Sequence, residues 1–146
     1  MKLEELEKRL KNIEDIEKIK ILQNKYLYWL YDRRWDKIID CFTENATVEI
    51  GKHGLRKGKA EITKLFKKDI NKTNAGKGRD GHFVVQPVIS VEGDKATGQW
   101  LIYIMISDPV TGNAQRWVYG VYNCHYTKVD GEWKFNFLKV PATSLF

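Results

Sequence analysis

Residues 114–140 read AQRWVYGVYNCHYTKVDGEWKFNFLKV, and their reading decides the fold. Apolar and polar side chains alternate on both sides of Asp130-Gly131, a pair that accepts the positive φ angles of a two-residue hairpin turn. The stretch is therefore two long antiparallel strands. Upstream, the same period of two runs through HFVVQPVISV (82–91) and ATGQWLIYIMIS (96–107), with EGDK between them and DPVTGN after the second. Four long strands in a meander fill the second half of the chain.

The first half has a different period. Leu3, Leu6, Leu10, Ile13, Ile16, Ile19, Leu22, Tyr26 and Leu30 recur every three or four residues, which is one helical stripe. Its opening turns, LEELEKRL, are charged apart from their leucines, so residues 1–12 are expected to project as a helical extension able to touch a partner chain. A short helix is expected from Trp35 to Phe42, a strand in TENATVEI (43–50), and a third helix in GKAEITKLFKKDI (58–70). NKTNAGKGRDG (71–81), rich in Gly and Asn, reads as a mobile loop. Helices first and strands afterwards predict an α+β architecture, with all 146 residues in a single domain.

Composition narrows the function. With 42% hydrophobic and 12% aromatic residues the chain can bury a core without disulfides. No apolar run approaches the ~20 residues of a membrane span, and MKLEELEKRL is too charged for a signal peptide. Cys41 and Cys124 have no metal or redox spacing, which points to a reducing, cytoplasmic setting. The net charge of +6 is concentrated: within residues 51–80 ten lysines and arginines face three acids. That segment has no aromatics interleaved for base stacking, so it reads as a solvated lysine-rich face and not as a nucleic-acid groove. GLRKGKA (54–60) is no phosphate loop, because its glycines are one residue too close and Ala60 stands where a Ser or Thr hydroxyl is needed.

Several local signatures occur in a telling order: Trp35-Asp36 after the long helix, FTENATVEI (42–49 and Ile50), RKGKAEI (56–62), Gly81-His82 opening the first long strand, and Tyr126 to Phe135 as YTKVDGEWKF. In these the chain resembles the SnoaL-like branch of the nuclear transport factor two-like superfamily, over roughly residues 13 to 140. The resemblance implies a cone: a strongly bent antiparallel sheet wrapped around a long N-terminal helix plus two shorter helices, with an internal apolar pocket. It also implies proton removal or elimination without metal or organic cofactor, as in scytalone dehydratase and bile-acid dehydratase.

Residue by residue, the resemblance implies a functional tyrosine at Tyr26 and a catalytic histidine at His82. The aspartate that dehydratases carry four residues before Trp35 is Tyr31 here, while a turn shorter by one residue aligns Tyr31-Asp32 with the Tyr-Asp pair of scytalone dehydratase. Both alignments stand, so Tyr31 and Asp32 are both candidates. Ile104 and Ile50 occupy positions where bile-acid dehydratase and ketosteroid isomerase carry acids, which argues against the isomerase mechanism.

Strand parity gives the pocket by a separate route. If His82 points inward, Gln86 follows it; Ile104 carries Trp100 and Ile102 with it; Tyr122 carries Arg116 and Val118. Such an interior is apolar with a few converging polar groups, as small-molecule sites are. In it His82 is a base with a reference pKa near working pH, Tyr26 a hydrogen-bond donor, and Arg116 a partner for an anionic substrate. The ordinary readings remain beside these: a strand-opening histidine, a core tyrosine and a cross-sheet ion pair. The expected function is a dehydratase-like lyase or isomerase; the alternative is a non-catalytic small-molecule binding protein of the same fold. Trp117, Tyr119 and Val121 on the outer sheet face suggest a homodimer.

Overall fold

The computed structural model describes residues 1–74 and 78–140. Its architecture is α+β: a long N-terminal helix, short helices and one open six-stranded sheet. Helix α1 (Leu3–Asp32) is continuous for 30 residues, and its buried face is Asp15, Ile19, Gln23, Tyr26 and Leu27. Leu3, Leu6, Leu10 and Ile13 are each more than half exposed, so the apolar stripe outruns the core by three turns. The helix stops at Arg33, whose φ of 57° is a left-handed cap.

Helix α2 (Trp35–Asp40) is two residues shorter than expected and leads into β1 (Phe42–Ile50). A single 3₁₀ turn (Gly51–His53) and a short strand not foreseen from the sequence, β2 (Leu55–Lys57), follow. The third helical region starts as α3 (Lys59–Lys64), widens into a π-helical turn (Leu65–Ile70) and closes with α4 (Asn71–Asn74). The segment expected as a mobile loop thus begins helically, and residues 75–77 of it lie outside the described residues. The four long strands are β3 (Gly81–Glu92), β4 (Lys95–Ser107), β5 (Ala114–Val129) and β6 (Glu132–Val140).

The strand order is β2-β1-β6-β5-β4-β3. β3 to β6 form the meander, but β1 pairs parallel with β6, so the sheet is mixed where an antiparallel one was expected. A hairpin forces antiparallel pairing; β1 reaches β6 only through the whole intervening chain, so no turn dictates its direction. Asp130 (φ 51°) and Gly131 (φ 80°) both take left-handed conformations between β5 and β6, which is a type I′ turn.

The core gathers around Tyr26. Its ring meets those of Phe42, Phe66 and Phe135 edge-on at centroid distances of 6.0, 6.3 and 5.2 Å. Each such pair contributes about 0.5–1.5 kcal/mol beyond area burial. A polar chain crosses the same core: Trp100 Nε1 donates to the Tyr126 hydroxyl (3.1 Å), which donates to Gln23 Oε1 (2.8 Å). Gly98 makes room for it, since a Cβ there would lie 2.8 Å from the Tyr126 ring. Nearer the N-terminal end of the buried face, Asp15 accepts from Trp133 Nε1 (3.0 Å) and pairs with Lys128 (2.8 Å), tying α1 to the β5–β6 hairpin.

Candidate active site

Between α1, the π-helical turn and the concave side of β3, β4 and β5 lies a cavity of about 460 Å³. That is the size of a small-molecule site. Burial grades along it. Tyr26, Phe66, Ile102 and Tyr122 line it and are at most 2% exposed, whereas the lining residues Lys52, Arg79 and Arg116 are exposed. The first group is the deep end and the second the rim.

The sheet register sets the walls. His82 pairs with Ile104 and Ile104 with Val118, so one row crosses three strands, and Ile106 pairs with Arg116 one step nearer the rim. The approach to His82 is held by two arginines acting in opposite directions. Arg79 donates to the carbonyl of Tyr31 at the C-terminal end of α1 and lies 5.2 Å from the Tyr31 ring centroid. Arg33, just past that helix end, donates back to the Gly78 carbonyl (3.1 Å). A cation at a helix C-terminus also satisfies carbonyls that lack intrahelical partners. Asp80 then accepts from Ser107 N (2.9 Å) and Ser107 Oγ (3.2 Å) through one oxygen, which fixes its carboxylate against the end of β4. Asp80 and His82 both line the cavity.

Burial pushes the phenols of Tyr26 and Tyr122 well above the usual tyrosine range, so both remain protonated donors. Burial pushes the imidazole of His53 down; Asp69 opposes that shift. The thiols of Cys41 and Cys124 are pushed up to about 12 by burial, so neither is a nucleophile at neutral pH. Among the described residues no group of three His, Cys, Asp or Glu side chains is placed to hold a metal ion.

Residues 11–139 match the SnoaL-like domain. The chain belongs to the SnoaL-like family. Among solved structures it is similar to a nuclear transport factor two-like protein with a cystatin-like fold from Novosphingobium aromaticivorans, with a TM-score of 0.80 and 20% identity over 96% of this chain and 89% of the other. It is similar to a scytalone dehydratase-like protein from the same organism (TM-score 0.76, 19% identity, 88% and 83% of the two chains). A hexachlorocyclohexane dehydrochlorinase from Novosphingobium barchaimii aligns with a TM-score of 0.74 and 20% identity over 90% and 88%. At such identities the likeness speaks for the fold alone.

Within this SnoaL-like domain the residues singled out from the sequence divide. His82, Tyr26 and Tyr31 line the cavity, as do Ile50, Ile102, Ile104, Arg116, Val118 and Tyr122. Asp32, Gln86 and Trp100 do not. Asp32 stays on the exposed flank because α1 holds its helical form through that residue and unwinds only at Arg33. Gln86 is exposed because it sits in a β-bulge: its φ is 56°, Pro87 after it has no N–H for the ladder, and the register slips between Val85 and Val88. The bulge inverts parity, so Ile89 and Val91 face the core beyond it. Trp100 has the right parity but lies too far along β4, in the core, bonded to Tyr126.

Sequence reasoning missed Asp80, Arg33, Lys52, His53 and Arg79 on the lining. Asp80 had a signal, since it shares strand parity with His82 two residues later. The others lie in turns, where no period exists to reveal direction. A second cavity, of about 440 Å³, lies between α1 and the edge strand β3, and Leu27, Tyr31 and His82 line both. His82 is thus part of the wall between two spaces.

Proposed function

We propose that this SnoaL-like domain is a cofactor-independent enzyme of lyase or isomerase type that removes a proton from a small molecule in the cavity. One observation carries the reading: His82, Asp80 and Tyr26 line a single cavity whose remaining wall is largely aliphatic and aromatic. His82 acts as the general base, its reference pKa of about 6.5 being near working pH. Asp80, and not the candidate Asp32, is the carboxylate that favours the imidazolium once the proton has moved. Tyr26, held neutral by burial, donates a hydrogen bond to the oxygen or halide on which charge develops. In an elimination the C–H bond breaks toward His82, its electron pair forms the new C=C bond, and the leaving group departs with the electrons of its own bond. A hydroxide leaving group recovers the proton from the imidazolium, and a halide leaves without it.

The test is a mass-spectrometric screen of β-hydroxy and β-halo carbonyl compounds. A compound consumed by the native protein should react at least about 100-fold more slowly with His82→Gln and with Tyr26→Phe, each checked for an unchanged circular dichroism spectrum. Equal turnover by both variants would remove these residues from the chemistry. The alternative, a binding protein of the same fold, draws on Ile50 and Ile104, lining side chains that exchange no proton. Tight binding of a compound recovered unaltered after long incubation would favour it.

A further inference from the structure

The lining of the cavity is unbalanced in charge. Among the described residues, Arg33, Lys52, Arg79 and Arg116 line it against the single carboxylate of Asp80. Two of these cations have structural work: Arg79 is bonded to the Tyr31 carbonyl and stacked on its ring, and Arg33 is bonded to the Gly78 carbonyl. Arg116 and Lys52 have none of that kind, for neither makes a side-chain hydrogen bond or ion pair among the described residues. They come from separate elements, Arg116 from the start of β5 and Lys52 from the turn after β1, yet both line the same space. Cations left unmatched at the edge of an apolar cavity attract one class of molecule strongly: an apolar body that ends in an anion.

We infer that the natural ligand is an apolar carboxylic acid, its hydrocarbon body in the cavity and its carboxylate at the rim between Arg116 and Lys52. The planar guanidinium of Arg116 matches a carboxylate with two parallel N–H···O bonds, and Lys52 adds a mobile point charge. A phosphate head is the weaker fit, because none of the residues that begin a described α-helix, Leu3, Trp35, Lys59 or Asn71, lines the cavity, and the turn that begins on it, Gly51–His53, is a single 3₁₀ turn too short to present an α-helical N-terminus. The body points inward, where Ile102, Phe66 and Val118 offer no charge. Such an orientation brings the carbons nearest the carboxylate past His82, which lies between the rim and the buried floor.

This inference rests on the cavity being the small-molecule site of the proposed function, but it is read from binding alone. Octanoate, 2-naphthoate and biphenyl-4-carboxylate are each titrated calorimetrically against the neutral amide of the same acid, with native protein, Arg116→Gln, Lys52→Gln and the double variant. At least one acid is expected to bind the native protein ten-fold or more tighter than its amide. That preference should fall to about two-fold or less in the double variant, while the affinity for the amide stays put. Equal affinity for every acid and its amide, failure of all three acids to bind, or a preference that survives the double substitution would overturn it. An active enzyme with no acid preference would sink this inference and leave the His82 chemistry standing; a clear preference in a protein indifferent to His82→Gln would do the reverse.

Discussion

Asp15 shows how one residue can be read wrongly from its type. A carboxylate on the first half of a highly charged helix belongs to solvent by default, yet this one is 3% exposed. Burial alone would raise its pKa, but the hydrogen bonds from Lys128 and Trp133 and the Lys128 charge outweigh that and hold the carboxyl below the usual range. A carboxyl depressed by folding adds stability above its unfolded pKa, and that contribution is lost as pH falls through the folded value. Asp15→Asn is therefore expected to lower stability by about 2 kcal/mol at neutral pH, measured by urea denaturation, because it leaves the nearly buried Lys128 ammonium without its counter-charge. As pH falls below about 4 the variant and the native protein should draw together, converging once the pH lies below the lowered folded pKa of Asp15. Parallel stability curves across that window would mean that Asp15 is not the group responsible. At this scale the candidate site was half legible. His82 and Tyr26, whose types suggest the proposed base and donor, both line the cavity, whereas Asp32 and Asp80 differ only in which backbone turn presents them.

Helix α1 contains two parts with different roles, and the division falls near Ile13. Before it, Leu3, Leu6 and Leu10 are exposed; after it, Ile19, Tyr26 and Leu27 enter the core. Deleting residues 1–12 should thus leave the thermal midpoint of the folded body within about 2 °C, since almost no buried apolar area is removed. A drop of ten degrees would show that the extension packs on something, and sedimentation of the same variant would show whether that is a second chain. The long elements were legible because periods of 3.6 and 2 accumulate over many residues. α1 and the four long strands match their expected spans to within a few residues. Short or irregular elements carry too few periods to be seen. β2 has three residues, the π-helical turn keeps the same buried side chains as an α-helix, and the bulge at Gln86-Pro87 flips parity in mid-strand. The last of these cost Gln86 its expected place in the cavity; Pro87 was the available warning.

Across the whole molecule, charge and apolar surface separate cleanly. The lysine-rich segment is partly matched by acids from other elements: Arg56 with Asp69 (2.6 Å), Lys59 with Glu44 (3.4 Å) and Lys67 with Asp36 (2.5 Å). Lys52 and Arg79 from the same segment turn to the cavity rim. The convex face of β3, β4 and β5 is the opposite case. Phe83 and Val85 on β3 pair with Tyr103 and Leu101 on β4, which pair with Tyr119 and Val121 on β5, and Met105 pairs with Trp117. No member of this patch is charged. Phe83 lies against Trp117 (6.1 Å) and Tyr103 stacks on Tyr119 (5.9 Å), so the patch is a preassembled aromatic surface, with Phe83 52% and Val121 43% exposed. A surface with neither sign of charge suits its own copy related by a two-fold axis better than a charged partner, and a stable dimer needs about 800 Å² of it per chain. The homodimer expected from the sequence would cover this face. Sedimentation equilibrium at high micromolar concentration should give twice the chain mass for the native protein. Val121→Lys, placed at the patch and pointing to the face of the sheet opposite the cavity, should give the chain mass with an unchanged circular dichroism spectrum, because two lysines related by the axis would be desolvated without counter-charges. A native protein that sediments as a monomer, or a dimer indifferent to Val121→Lys, would mean that the aromatic face serves another purpose.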